Sequence, residues 1–164
     1  ITTKLKADKY VYYSEKVHNG DLWDTNTFRK KLQHGDDLGI RMRQAFNEVF
    51  MAGYDKAIII GRDMYDLNQH DIETAFAALN DNEVVIGPAE DGGYYLLGMS
   101  SLQSKVFSNK DWGKETVLKD TLADLTEVSV KHLEERNDVD YYEDIEDQEI
   151  FQQFFPKHLK KDTK

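Results

Sequence analysis

The sequence predicts an α/β fold, a mostly parallel central sheet in a three-layer α/β/α arrangement, and three observations carry that expectation. Short apolar runs such as Lys56-Ala57-Ile58-Ile59-Ile60 and Glu83-Val84-Val85-Ile86 read as strands covered on both faces. Between them lie segments whose apolar residues recur at three- and four-residue spacing, the period of a helix with one buried face. The 164 residues, 40% of them apolar, suffice for a single domain with a sizeable core.

Lys9-Tyr10-Val11-Tyr12-Tyr13 reads as the first strand through its aromatic and β-branched content. The polar stretch from Ser14 to Asp24 is a loop crossing to a short second element, which Phe28 and Leu32 are too few to fix. Leu38, Met42, Ala45, Phe46, Val49 and Phe50 then share one helical face; Asp36 or Asp37 caps the helix start and Gly53 closes it. The strand ending at Ile60 stops at Gly61, and Ile72, Ala75, Phe76 and Leu79 mark a second amphipathic helix over 68–79, with Asp66 or Asn68 placed to cap it. A strand over 83–86, a strand over 94–99, a helix over 115–125 and a peripheral strand over 128–133 continue the grammar of βαβ units, with helix following strand throughout. Ile145, Ile150, Phe151, Phe154 and Phe155 mark a last helix within 143–159, packed back on the sheet ahead of the solvated tail Lys160-Lys161.

Charge and composition exclude several classes of function. With 31 acidic residues against 21 basic ones the formal net charge is −10, which disfavours a nucleic-acid partner and leaves an anionic ligand dependent on a metal or on local donors. The chain has no cysteine, so structural disulfides and thiolate metal sites are excluded and a reducing compartment fits. No run approaches the ~18 apolar residues that span a bilayer, and no secretory segment precedes the first strand. A cytoplasmic protein with no membrane partner is the expectation, and homo-oligomerisation is left open. His18, His34, His70, His132 and His158 are scattered, with no pair at i and i+4. Nucleophile-elbow, phosphate-loop and dinucleotide fingerprints are all missing, which disfavours hydrolase and phosphate-loop NTPase chemistry.

An open α/β sheet binds ligands beyond the carboxyl ends of its strands, so residues just past strand ends are the functional candidates. The segment Gly87-Pro88-Ala89-Glu90-Asp91-Gly92-Gly93 is a turn between two strands or a pocket wall. Its paired Gly92 and Gly93 permit close ligand approach, and its Glu90 and Asp91 supply oxygen acceptors. Asp63, directly after the strand ending at Ile60, is placed to hold a divalent metal or to serve as a turn or capping aspartate for the following helix. Asp138-Val139-Asp140 is either an ordinary acidic loop or an oxygen-only cation site, in which Asp140 is the residue assigned to the metal. Gly35 to Arg43 is a loop entering a helix, where Gly35, Leu38, Gly39 and either Arg41 or Arg43 would meet a phosphate or carboxylate, although Asp36 and Asp37 oppose an anion there. Trp112-Gly113 with Glu115 and Thr116 is a packed loop and helix cap or an aromatic edge of the pocket.

Five of these segments occur in an order that resembles a bacterial glycosyltransferase-like family associated with arsenosugar biosynthesis, long catalogued as a domain of unknown function. They are GDDLGIRMRQAF from Gly35, AIIIGRDMYDL from Ala57, GPAEDGGYYLLG from Gly87, DWGKETVL from Asp111 and DVDYYEDI from Asp138, covering nearly the whole chain. The resemblance implies a nucleotide-diphospho-sugar transferase fold of the GT-A type. It also implies a metal, Mg or Mn, on Asp63 and Asp140, and a sugar or acceptor pocket lined by Glu90, Asp91, Gly92 and Gly93 with Trp112, Gly113 and Thr116 nearby. Met64-Tyr65 stands where much of the family has Cys-Pro, Tyr141-Tyr142 where Thr-Pro is common, and Arg62 where a small hydroxyl residue is usual. The family normally opens with a strand and a basic loop resembling a nucleotide-binding segment, so the chain from Ile1 is expected to be N-terminally incomplete, a partial domain over 1–164 whose −10 charge overstates the repulsion felt by a nucleotide.

The expected reaction is metal-assisted glycosyl transfer from a nucleotide sugar to an unknown acceptor, with Asp91 or Glu90 as the base of an inverting transfer, Asp91 being the one assigned, and Gly35, Leu38, Gly39, Arg43, Glu90, Gly92, Gly93, Trp112, Gly113 and Thr116 binding substrate. Nucleotidyl transfer with release of pyrophosphate and non-catalytic nucleotide or sugar binding are the alternatives.

Overall fold

The computed structural model describes residues 2–61, 64, 66–137 and 151. Asp63, Arg62, Tyr65, the Asp138-Val139-Asp140 cluster, the expected helix within 143–159 apart from Phe151, and the basic tail lie outside the described residues.

Strand β1 (Lys9–Tyr13) pairs in parallel with β2 (Phe28–Leu32), which settles the undecided second element as a strand. Helix α1 (Leu38–Met51) follows, then β3 (Ala57–Ile60), α2 (Gln69–Ala78), β4 (Val84–Pro88), β5 (Tyr94–Met99), a short 3-10 helix over Ser104–Phe107, α3 (Val117–Ala123) and β6 (Val130–His132). The second sheet has the order β3-β5-β4-β6. β5 is antiparallel to both β3 and β4, and β6 is parallel to β4, so three of its four strands run in one direction.

Two expectations change here. Helix does not follow strand throughout, because β4 and β5 are joined by the tight turn over 89–93 and pair directly. α3 starts at Val117 rather than 115, since Gly113 (φ +82) and the turn closed by Lys114 N–H on Asp111 O hold the preceding residues out of the helix.

Alternation along the strands builds two cores, one on each face. Val84, Ile86, Leu97 and Met99 pack under α1, where Phe46 stacks on Phe50 and tilts against Phe107. Val85 and Leu96 face the other way, against Ile72 and Ala75 of α2 and its C-cap Leu79. All five residues of β4 are buried, whereas β3, paired on one side only among the described residues, is half-buried along its length. The caps confirm the helix starts: Asp37 accepts from Ile40 N–H at 2.7 Å, and Asn68 and Asp71 form a reciprocal capping box on α2.

The β1–β2 pair is tied to α1 through the Tyr12 hydroxyl, which donates to Glu48 at 3.0 Å, and through the Lys31–Glu48 ion pair. Its connecting loop is organised by Asp21, which accepts from Lys30 Nζ, from the Tyr13 hydroxyl and from the Trp23 N–H. The Lys30 hydrogen bond, followed by that of Tyr13, holds the Asp21 carboxyl at about 2, below its ordinary 3.8. A depressed folded-state pKa stabilises above the unfolded value and is lost as pH falls through the folded one. The Asp21→Asn variant should therefore melt below wild type at pH 7, and the gap should close between about pH 4 and pH 2. Circular-dichroism melts across that range check this; a gap that persists at pH 2 contradicts it.

Candidate functional site

The carboxyl ends of β3, β4 and β6 and the amino ends of the helices meet at one edge of the molecule. There the β4–β5 turn is closed by Gly92 N–H on Ala89 O at 3.0 Å and by Ala89 N–H on Gly93 O at 3.1 Å. Gly92 has φ +85, and a β-carbon on it would fall 2.6 Å from the Glu115 Cα. Its carbonyl accepts from Leu118 N–H at 2.9 Å, so the turn is seated on the start of α3. Thr116, at the N-cap, makes no capping hydrogen bond through its side chain.

A second close approach extends this rim. A β-carbon on Gly39 would fall 2.5 Å from both the Trp112 ring and the Phe107 carbonyl oxygen, so α1 can lie against the 112 loop only with glycine there. Three candidate segments far apart in sequence, around Gly39, Trp112 and Gly92, thus form one continuous surface. The N–H groups of Leu38 and Gly39, in the first turn of α1, make no hydrogen bond among the described residues; Leu38 is exposed, whereas Gly39 is buried under Trp112.

The remaining candidates divide. Arg41 is committed internally, Nε donating to Gly35 O at 2.9 Å, while Arg43 is exposed and has no ion pair among the described residues. Asp91 is exposed, and its Oδ1 accepts from Gly93 N–H at 2.8 Å, an aspartate turn that leaves Oδ2 without a partner among the described residues. Glu90 is exposed, and its N–H donates to Arg136 O at 3.0 Å. Asp66, read as structural, is paired with Arg136. No three His, Asp or Glu side chains converge on a metal position among the described residues, and both assigned ligands, Asp63 and Asp140, lie outside them.

Arg136 and Tyr95 were not legible as site residues. β5 advances two residues, Tyr94 to Leu96, while β4 advances one, and the bulged Tyr95 turns its ring over Gly87. Its hydroxyl donates to Glu134 O at 3.0 Å and the Arg136 guanidinium lies over its ring. Burial raises the Tyr95 phenol above its ordinary value. For Arg136 burial acts downward, but Asp66 and Asp71 outweigh it and raise the guanidinium. In sequence Arg136 is one more charge in Glu134-Glu135-Arg136, and its partner Asp66 is 70 residues away.

Residues 1–114 match the family model described as "Uncharacterized protein conserved in bacteria (DUF2064)". The chain belongs to this family. A DUF2064 chain of this sequence is also similar to a crystal structure from Desulfovibrio desulfuricans G20, of a protein provisionally assigned as a nucleotide-diphospho-sugar transferase. The identity is 30%, the TM-score 0.80, and the match covers 92% of this chain and 71% of that one. The fold is accordingly the α/β fold of that protein. No curated protein matches the chain. Among the described residues no helix is long and apolar enough to cross a membrane.

Proposed function

We propose that this DUF2064 chain is a metal-dependent glycosyltransferase that takes a nucleotide-sugar donor. The observation that carries the reading is the convergence of the Gly39, Trp112, Thr116 and Gly92 segments on the carboxyl edge of the sheet, where α/β folds bind their ligands. The likeness to the Desulfovibrio protein supports the donor class.

In this reading the N–H of exposed Leu38 and the exposed Arg43 meet donor oxygens, while Gly39 lets Trp112 close against α1 and wall the pocket. The described carboxylates Asp66 and Asp71 are ion-paired with Arg136, and this reading keeps Asp63 and Asp140 as the oxygen ligands for a hard cation such as Mg or Mn. A cation there would offset the charge that develops on the diphosphate leaving group. Asp91 offers its Oδ2 as the base toward an acceptor hydroxyl, while Oδ1 keeps the turn closed.

Calorimetric titration of the protein with UDP-glucose, GDP-mannose and dTDP-glucose, with and without Mn, tests the reading. Binding of at least one donor only when Mn is present is expected, weakened tenfold or more in Asp63→Asn, a loss of about 1.4 kcal/mol or more. If none of a broad panel of nucleotide sugars binds in the presence of the cation, the proposal fails. Pyrophosphate release from a nucleoside triphosphate in place of sugar transfer would favour nucleotidyl transfer.

A further inference from the structure

We infer that Arg136 is a positioning residue that clamps the loops at the carboxyl edge into one arrangement. The inference rests on the transferase reading for its consequence, though not for its geometry.

Two loops and the bulge of β5 converge on this one residue. Through its backbone Arg136 extends the sheet beyond β6: its N–H donates to Pro88 O at 3.1 Å and its carbonyl accepts from Glu90 N–H at 3.0 Å, which fixes the β4–β5 turn. Through its side chain it reaches the segment after β3. Nη1 donates to Asp66 O at 3.0 Å and lies 3.3 Å from Asp66 Oδ1, while Nη2 is 3.0 Å from Asp71 Oδ1 at the start of α2. The guanidinium carbon lies over the bulged Tyr95 ring, 5.8 Å from its centroid, and Tyr95 O in turn accepts from Gly61 N–H at 2.8 Å. Asp66 follows Asp63 by three positions, so the clamp holds the end of the segment that carries the assigned metal ligand.

The geometry requires arginine. The acceptors Asp66 O, Asp66 Oδ1 and Asp71 Oδ1 lie on two different terminal nitrogens, with an aromatic face beneath, and a planar fork meets all of them at once. A lysine ammonium keeps the charge but has one nitrogen to offer. The Arg136 side chain is 12% exposed and that of Asp71 19%, so their ion pair is shielded more than a surface pair, while the Asp66 carboxylate, 41% exposed, stands nearer the solvent. An arginine that served stability alone would spread its loss over the fold when replaced. A clamp loses its effect at the two loops it joins.

The test is Arg136→Lys read by melting temperature, by amide hydrogen exchange without ligand, and by donor affinity. The melting temperature is expected within about 4 °C of wild type. Exchange should quicken tenfold or more in peptides spanning 61–68 and 88–95 and stay unchanged in α1, and the affinity for the donor that binds wild type with Mn should fall at least tenfold. Asp66→Ala, at a half-exposed carboxylate, removes one arm and decides the matter by the same readouts if the lysine variant does not fold. Wild-type exchange and affinity in the variant, or a uniform rise of exchange across all elements, overturns the clamp while leaving the transferase reading untouched. Failure of wild type to bind any donor sinks the transferase reading, and the ligand-free exchange still decides the clamp.

Discussion

Gly92→Ala is expected to lower the melting temperature by roughly 6–12 °C, the consequence of about 3 kcal/mol of lost stability in a domain of this size. Two effects combine. An alanine at φ +85 pays about 1–2 kcal/mol for the left-handed conformation. Its β-carbon would also press on the Glu115 backbone, 2.6 Å from Cα and 2.7 Å from the carbonyl carbon. Backbone cannot rotate away as a side chain can, so the turn must lift from α3 and strain the Leu118 N–H to Gly92 O bond, worth about 1 kcal/mol. Gly93→Ala is the control. Gly93 has no positive φ, and its added carbon would meet only the Asp91 carboxylate, 3.1 Å from Oδ1, which can turn aside. Parallel melts of the two variants check this, and equal losses would show that the turn is not seated on α3.

Phe46→Ala is expected to cost more, about 3–5 kcal/mol, the range for removing a large aromatic from a core. Phe46 is 1% exposed. It stacks on Phe50 with centroids 6.1 Å apart and tilts against Phe107 at 5.8 Å, joining α1 to the layer that carries Trp112. The cavity cannot close easily, because Val84, Ile86 and Met99 beneath it are held by the sheet ladder. Urea unfolding should show a lower midpoint with an unchanged slope; a midpoint shift equivalent to less than about 1 kcal/mol would contradict it.

Much of this was legible along the chain because the deciding interactions are local. The spacing of Leu38, Met42, Ala45 and Phe46 marks a helical face whichever partner covers it, and α1 and α2 begin within a residue of the expected positions. β1, β3 and β5 are likewise where their apolar content puts them, because a run of β-branched and aromatic residues has few other solutions. The glycine segment after Ile86 announced a turn. Asp37 and Asn68 announced caps, since capping needs only a side-chain oxygen two or three residues from open N–H groups.

What local pattern does not contain is the choice of neighbour. Strand order and direction follow from which faces pack together, and a five-residue hairpin turn reverses β5 where a helical crossover would have kept it parallel. Gly39 and Gly92 read in the sequence as candidate ligand contacts, and only the fold shows that Trp112 and Glu115 occupy the space a β-carbon there would need. Arg136 carries no signal at all in a charged stretch, because its partners Asp66, Asp71 and Tyr95 are 70, 65 and 41 residues away by number and meet it only through the sheet. Composition and periodicity thus set the class of fold, the helices and the caps, which depend on contacts within a few residues. The site edge, assembled from loops whose ends are joined by long-range packing and close backbone approach, was decided only when the chain folded.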